Sequence, residues 1–263
     1  MESRRRTLYT TNQLDADAKA FLDAAGITDS TITGAINTLV RSLKSYNIWT
    51  KLKAVYPFVG GTASTHKWNL KDPRDLDAAF RLTFSAGWTH DANGSKPSGS
   101  STYANTYLVP STAFADNYNG LGYYSGTNLS ETDIDPVNMG SYNSLTVAFL
   151  IGKQNNHFVS RNNGTTVDYY STTIGMKGFF SSHRFSDYTK IYKDGSFIKQ
   201  GVQDGTLPTY EFYIGALNFG RSAYGSVKND FRFAYIENGF SETDISNLYT
   251  AVQSFQTTLG RNV

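Results

Sequence analysis

Three carboxylates stand at alternate positions of one short acidic segment. They are Glu131, Asp133 and Asp135 in the run Ser-Glu-Thr-Asp-Ile-Asp-Pro. Alternate side chains of an extended strand point to the same face, so the three carboxylates would lie side by side. Such a group could serve acid–base catalysis, or its oxygens could bind Ca²⁺. A solvated acidic turn is the third alternative, because Pro136 follows directly.

This spacing resembles the Glu-x-Asp-x-Glu signature of β-sandwich glycosidases that cleave laminarin-type glucans. The resemblance implies that Glu131 and Asp135 would be the paired carboxylates of a retaining hydrolysis, which requires a separation of about 5–5.5 Å. The chain departs from the signature at Asp135, which is one methylene shorter than Glu, and no Trp lies nearby as a sugar platform. We therefore expect no catalytic residue, and glycan hydrolysis by Glu131 and Asp135 stays open as an alternative.

Four aromatic side chains beside polar loops are candidates for stacking on sugar rings. Trp88 and His90 stand at the edge of one Gly- and Ser-rich loop, and Tyr123 and Tyr124 follow another. Aromatic residues of a sandwich also fill its core, which is the alternative for each of the four.

Other kinds of chemistry find no support in the sequence. The chain contains no Cys, and its four His residues show no metal-ligand spacing. Phosphate-binding, dinucleotide-binding and Ser-hydrolase motifs are absent, so we expect no cofactor, and Glu131, Asp133 and Asp135 are the weak candidates for a metal. A net charge of +2 and the lack of a long apolar run predict neither nucleic-acid binding nor membrane insertion.

The elements that must position these residues are mostly strands. The 263 residues include 18 Tyr, 17 Phe and 23 Gly, a composition of strands joined by Gly-rich turns. Asp194-Gly195 between two strand-like runs predicts a tight hairpin. Further strands are predicted where apolar residues alternate, namely Phe80, Leu82 and Phe84, and again Phe231, Phe233 and Tyr235.

Helices are predicted at both ends of the chain. We expect a flexible arm over residues 1–13 and a helical hairpin within residues 14–57, followed by a β-sandwich over residues 58–263. The sandwich ends in an amphipathic helix over residues 241–259, opened by Ser241 and Asp244 in the manner of a capping box. The hairpin is too short to fold alone, so it must pack on the sandwich or on a partner.

The C-terminal part of the chain resembles a known fold family. From "TKIYKDGSFIKQ" through "YEFYIGALNFGRSAYGSVKNDFRFAYIENGFSETDISNLYTAVQSF", a hairpin, a Gly-Ala strand and a Ser-Glu helix follow one another. This order is similar to the second half of concanavalin A-like, or laminin-G-like, jelly rolls. The resemblance implies a two-sheet jelly-roll sandwich with lectin-like character.

A second resemblance concerns the segment "PFVGGTASTHKWNLKDPRDLDAAFRL" and the ending "FQTTLGRNV". Both are similar to virion-associated fibre and structural proteins of tailed phages, especially crAss-like and related phages that infect Bacteroidota. The resemblance implies a non-enzymatic virion protein that contacts other virion proteins, forms a homo-oligomer and binds a host-surface glycan through its lectin-like module. A purely architectural virion protein is the alternative that binds no ligand.

Overall fold

The computed structural model describes residues 13–99, 101–114, 118–128, 136–143, 149–154, 157–162, 168–171, 177–202 and 206–263. The helices are α1 (Ala16–Ala25), α2 (Ser30–Ser45), α3 (Ala63–His66), α4 (Pro110–Ala113) and α5 (Glu242–Thr258). The strands are β1 (Leu52–Tyr56), β2 (Thr83–Phe84), β3 (Trp88–Asp91), β4 (Gly94–Pro97), β5 (Ala104–Asn105), β6 (Asn119–Ser125), β7 (Val137–Tyr142), β8 (Phe149–Gln154), β9 (His157–Asn162), β10 (Asp168–Ser171), β11 (Gly178–Phe185), β12 (Tyr188–Lys193), β13 (Ser196–Val202), β14 (Tyr213–Ile214), β15 (Leu217–Phe219), β16 (Ser222–Tyr224) and β17 (Phe233–Glu237). The prediction of a mostly β chain with a C-terminal helix is confirmed.

The first sheet is wholly antiparallel. Within the described ranges its strand order is β1-β17-β6-β11-β12-β13. The predicted hairpin joins β12 to β13, and Asp194 and Gly195 have φ angles of 50° and 73°. Two positive φ angles define the turn whose twist matches that of the strands, so this prediction is confirmed.

The second sheet is mixed. Its strands follow the order β10-β9-β8-β7-β14-β5-β2, and β15 and β16 are attached beside β7. β15 runs parallel to β7 and antiparallel to β16. Strands β3 and β4 form a separate two-stranded hairpin, which a pair of backbone hydrogen bonds between Ser95 and Phe231 ties to the chain just before β17.

The two sheets share one apolar core. The first sheet contributes Leu121, Tyr123, Phe180 and Ile236, and the second contributes Ala104, Met139, Phe158 and Ile214, all of them fully or almost fully buried. Facing sheets that interdigitate in this way bury most of their apolar surface against each other. The chain therefore has a sandwich as its central part.

Helices α1, α2 and α5 form a third layer on the outer face of the first sheet. Their buried residues, including Phe21, Leu39 and Phe255, belong to one cluster with Phe179, Tyr124 and Phe233 of the sheet. The N-terminal helices thus pack on the chain's own sandwich. Strand β1 lies within the predicted N-terminal segment of residues 14–57, and it pairs with β17 of the first sheet. The predicted domain boundaries stay a prediction.

Local sequence signals explain how the helices begin. Asp15 and Asp29 cap α1 and α2 through hydrogen bonds to backbone N–H groups. Ser241 and Asp244 form the predicted capping box of α5, and both of its reciprocal hydrogen bonds are present. The sequence Ser-Glu-Thr-Asp-Ile that opens α5 also occurs at residues 130–134, which lie outside the described residues.

One predicted strand is wrong. Phe80, Leu82 and Phe84 do not alternate along a strand, since only Thr83 and Phe84 belong to β2. Phe80 ends a 3-10 turn over Asp77–Ala79 with a left-handed φ of 59°. That single left-handed residue interrupts the extended chain, so the three apolar residues do not lie on one continuous strand.

Candidate functional site

Two of the predicted stacking residues lie in the interior. Tyr123 and Tyr124 are both 0% exposed. They are neighbours on β6, so their side chains point to opposite faces of the first sheet: Tyr123 joins the core between the sheets, and Tyr124 joins the helix-covered cluster. The Tyr124 hydroxyl donates to Gln253 Oε1 and accepts from Val263 N–H at 2.8 Å. Neither ring can contact a ligand at the surface, so these two candidates are wrong.

The other two predicted residues lie together on β3. The Trp88 and His90 rings are stacked with centroids 6.3 Å apart, and Phe84 packs edge-on against both. Trp88 Nε1 donates to Tyr103 O at 3.1 Å. Both side chains are half-buried, so this cluster exposes a limited surface that is rigidly held.

His90 also belongs to a pair of imidazoles. Gly61 N–H donates to His66 Nε2 at 3.2 Å, so the proton of neutral His66 lies on Nδ1. His66 Nδ1 then donates to His90 Nδ1 at 3.0 Å, so the proton of neutral His90 lies on Nε2, which has no hydrogen-bond partner among the described residues. Burial, followed by the charges of His90 and Arg261, lowers the pKa of His66 to about 3, and burial also lowers the pKa of His90. Both rings are therefore neutral near pH 7.

The acidic candidates Glu131, Asp133 and Asp135 lie outside the described residues. Among the residues that the structure does describe, no group of three or more His, Asp or Glu side chains could hold a metal ion. The described helices include none that is long and apolar enough to cross a membrane.

The outer face of the second sheet carries the most distinctive surface. Met139 and Ile214 point into the shared core, so Gly140 and Tyr213, which pair with each other next to them, point outward. Tyr142 lies two residues beyond Gly140 and shares its face. An apolar cluster on this face contains Val137, Val159 and Leu217 with Tyr142, and no residue of a described helix.

Aromatic rings are stacked on this outer face in two pairs. Tyr103 and Tyr213 lie 4.1 Å apart at an interplanar angle of 13°, and Tyr142 and Phe219 lie 4.8 Å apart at 12°. Tyr224 lies 6.2 Å from Phe219. Phe219 is 49% exposed and Tyr224 is 56% exposed. We refer to these five residues as the aromatic face.

A cationic side chain projects from the turn beside the aromatic face. Gly220 and Arg221 connect β15 to β16 with φ angles of 58° and 70°. This turn prefers Gly or Asn at both positions, so Arg221 is held in a backbone conformation that is costly for its type. Its guanidinium lies 5.9 Å from the Tyr210 ring centre. Residues in such conformations are concentrated at functional sites.

One sequence feature of the aromatic face can be interpreted only once the structure is known. Phe219 and Tyr224 flank the turn at Gly220-Arg221 in the run "NFGRSAY". Large aromatic residues on both arms of a tight hairpin stay at the surface unless another layer covers them. The order of layers decides that, and it involves residues far away in the chain.

Comparisons with known proteins address the fold. No protein-family model matches the sequence, and a search of curated proteins finds no match. Among solved structures, Trypanosoma rangeli sialidase in complex with sialic acid is similar with a TM-score of 0.51 and 12% identity, covering 81% of this chain and 38% of that chain. The chain thus spans about two-fifths of the length of the sialidase.

Two other solved structures have the same fold. Domain 4 of AbnA, a GH43 extracellular arabinanase from Geobacillus stearothermophilus, in complex with arabinotriose, has a TM-score of 0.50 and 12% identity, covering 75% of this chain and 98% of that one. The binding domain of Paraclostridial Mosquitocidal Protein 1 has a TM-score of 0.51 and 10% identity, covering 78% and 53%.

These comparisons contradict the predicted function. The prediction of a non-enzymatic virion structural protein is wrong, because the similar structures include a sialidase and a GH43 arabinanase domain, which act on or bind carbohydrate. The expectation that the chain is no enzyme is contradicted by the same likeness. The resemblance to tailed-phage proteins, the virion partners, the homo-oligomer and the virion location are not tested by these structures and stay predictions.

Proposed function

We propose that this chain is a carbohydrate-binding β-sandwich of the concanavalin A-like jelly-roll type. Two packed sheets around one core support the fold, as does the order of strands and helix in the C-terminal part of the sequence. The likeness to a sialidase bound to sialic acid and to an arabinanase domain bound to arabinotriose supports carbohydrate as the ligand class.

The observation that carries the proposal is the aromatic face, in which Phe219 and Tyr224 are exposed, on the side of the second sheet whose apolar cluster contains no residue of a described helix. A sugar ring has one or two faces of C–H groups, which are apolar and pack flat on aromatic rings, and a rim of hydroxyls. Phe219 and Tyr224 leave about half of their surface open to such a ring. Exposed apolar patches of this kind mark interaction sites on soluble proteins.

Polar groups beside the rings can bind the hydroxyl rim. Arg221 lies between Phe219 and Tyr224 in the sequence, and its side chain is exposed. Its guanidinium offers several N–H donors in a fixed plane. Asn143 follows Tyr142 directly, and its side chain donates to Thr209 Oγ1 at 3.1 Å, which leaves the amide oxygen as an acceptor. A flat apolar surface with a few fixed polar groups at its edge is the usual composition of a ligand site.

A glycan array followed by calorimetric titration of the best glycan tests the proposal. Arabinotriose and a sialic acid-containing oligosaccharide belong in the titration beside the array hits. We expect saturable binding that weakens in both Y142A and F219A. The absence of binding to every glycan, or binding that both substitutions leave unchanged, would refute the proposal.

Glycoside hydrolysis is a second candidate, favoured by the likeness to a sialidase and to an arabinanase domain. Glu131 and Asp135 would be the paired carboxylates. The test incubates the purified chain with the bound glycan and measures released reducing sugar. Release that stops in E131Q and D135N would establish hydrolysis, and a glycan that is retained intact would exclude it.

A further inference from the structure

Two arginines beside the aromatic face have no counter-ion in the part of the chain that the structure describes. One is Arg161 of β9, and the other is Arg221 in the turn between β15 and β16. Neither guanidinium forms an ion pair or a hydrogen bond with any described residue. Each therefore offers its N–H donors to a ligand.

Arg161 lies on the same outer face of the second sheet as the aromatic rings. Val159 belongs to the apolar cluster of that face together with Tyr142. Arg161 follows two residues further along the same strand, so its side chain also points outward. Ser160, between them, points inward, since its Oγ donates to Ser182 Oγ of the first sheet at 2.6 Å. The face that carries the rings thus extends to Arg161.

The Arg161 guanidinium is held by packing and opens at its tip. Its Nε is buried and has no hydrogen-bond partner, whereas its two terminal nitrogens are not buried. Removing part of a charged group from water is costly unless an opposite charge pairs with it. The terminal N–H groups form a planar fork that matches the paired oxygens of a carboxylate or a similar oxyanion. An anion is therefore the partner that this side chain lacks.

The backbone of Arg221 is fixed at the other end of the face. Asn218 is 0% exposed, and its Oδ1 accepts from Arg221 N–H at 2.8 Å. Asn218 Nδ2 donates to Glu211 O at 2.9 Å, so the turn is tied to the chain before β14. The exposed side chain of Arg221 thus starts from a defined point beside the rings.

One carboxylate lies close to this end of the face. Glu211 Oε2 accepts from Asn218 Nδ2 at 3.4 Å, and no ion pair joins Glu211 to Arg221. Burial, followed by Tyr103, raises the pKa of Tyr213; the charge of Glu211 adds to this rise and that of Arg221 opposes it. Both charges therefore lie near the Tyr213 hydroxyl. The two arginines outnumber this carboxylate, which favours an anionic ligand over a neutral one.

The register of the sheet gives the length of such a ligand. Arg161 pairs with Leu150, Leu150 with Gly140, and Gly140 with Leu217. Three strand spacings, or about 14 Å, therefore separate β9 from β15. One sugar ring does not span this distance, so a ligand that contacts both arginines is an oligosaccharide.

We propose that the aromatic face binds an acidic oligosaccharide, whose carboxylate or sulfate groups pair with Arg161 and Arg221 while its rings stack on Phe219 and Tyr224. This inference rests on the proposed carbohydrate-binding function and adds the charge of the ligand to it. The rings supply affinity for any sugar with an apolar face, and the two arginines select the charged ones.

Glycan pairs that differ only in the charged group test the proposal. Calorimetric titration compares sialyllactose with lactose, trigalacturonate with its methyl ester, and sulfated with unsulfated N-acetyllactosamine. The first two pairs probe a carboxylate and the third probes a sulfate. We expect the charged member of at least one pair to bind about tenfold more tightly. This preference should decrease when the salt concentration is raised, because the ion pairs are partly exposed.

Three variants assign the preference to the arginines. R161M and R221M should each lower the preference for the charged glycan about fivefold to tenfold and leave the affinity for its neutral partner unchanged. R41M is the matched control. Arg41 is exposed on α2, in the helix layer on the opposite side of the sandwich, and pairs with no described residue. It removes the same charge, so it should leave the preference unchanged.

The outcomes separate this inference from the proposed function. Equal affinities within all three pairs, or a preference that either R161M or R221M leaves unchanged, would overturn the inference, whereas sugar binding that F219A weakens would still support the aromatic face. Sodium sulfate and sodium acetate are the free anions: binding as tight as that of the charged glycans would also overturn it and define a simple anion site. Absence of binding to every glycan would refute the proposed function and this inference with it.

Discussion

Replacing Phe219 by Ala should separate glycan binding from stability. Phe219 is 49% exposed, stacks on Tyr142 and lies near Tyr224. Phe197 is a matched control on β13, at the edge of the first sheet. It is 54% exposed and contacts the Tyr192 ring and the Lys190 ammonium. The two side chains thus have the same type and similar exposure, and only Phe219 belongs to the aromatic face.

The size of the effect follows from what each side chain covers. A sugar ring on Phe219 would cover its exposed half, worth about 1 kcal/mol, and would gain a stacking contact of similar size. F219A should therefore weaken binding by about 2 kcal/mol, or raise the Kd about 30-fold. In the free protein, both F219A and F197A lose a half-buried ring and should lower the free energy of unfolding by about 1–2 kcal/mol.

Calorimetric titration with the glycan chosen by array measures the affinity, and urea unfolding of the same samples measures the stability. We expect the F219A isotherm to flatten, and the F197A isotherm to match that of the unchanged protein. Equal affinities for all three proteins would show that the ligand does not contact the aromatic face. Equal losses in F219A and F197A would show that the effect arises from stability alone.

Three further substitutions test the scaffold. Burial holds the pKa of His66 near 3, whereas an unfolded His titrates near 6.5, so only the unfolded state takes up this proton between those two values. The free energy of unfolding should therefore fall by about 1.4 kcal/mol per pH unit as the pH drops below 6.5. In urea unfolding from pH 7 to pH 5, the free energy of unfolding of H66Q should depend less steeply on pH, and an unchanged dependence would refute the assignment. R261M removes the guanidinium that donates to the carbonyl groups of Phe58 and Pro57. It should lower the free energy of unfolding, measured in urea, by about 3–5 kcal/mol. A loss below about 1 kcal/mol would show that these hydrogen bonds do not stabilise the fold. G94A should lower the melting temperature far more than G239A, because Gly239 also has positive φ but no atom near its Cβ position, and equal shifts would contradict the close approach to Phe231.

Short-range signals allowed the local structure to be predicted from the sequence. Ser241 and Asp244 lie three residues apart before an apolar stripe, and the bonds that open a helix form between just such neighbours. Asp194 and Gly195 tolerate the positive φ of a hairpin turn. In each case the residues that decide the structure are adjacent in the chain, so no knowledge of the fold was needed.

Predictions that depend on which layer covers which face were wrong. Phe231, Phe233 and Tyr235 alternate in the sequence, yet Phe231 packs between the sheets while the other two contact the helices. The strand begins only at Phe233, and Phe231, two residues earlier, is held by backbone hydrogen bonds to Ser95 of the β3–β4 hairpin. Sequence periodicity cannot show this change of side, because a contact with a residue far along the chain imposes it.

The same reasoning explains why Tyr123 and Tyr124 are buried, although the sequence predicts them beside a surface loop. In a two-layer sandwich, one of two neighbouring strand residues such as Tyr123 and Tyr124 must face solvent. Here the N-terminal helices and α5 add a third layer, so both are buried. That layer covers the outer face of one sheet and leaves the other sheet to carry exposed rings. The described helices therefore lie on one sheet and the aromatic face lies on the other, so the most informative ligand experiments are those that compare the two sheets of one molecule.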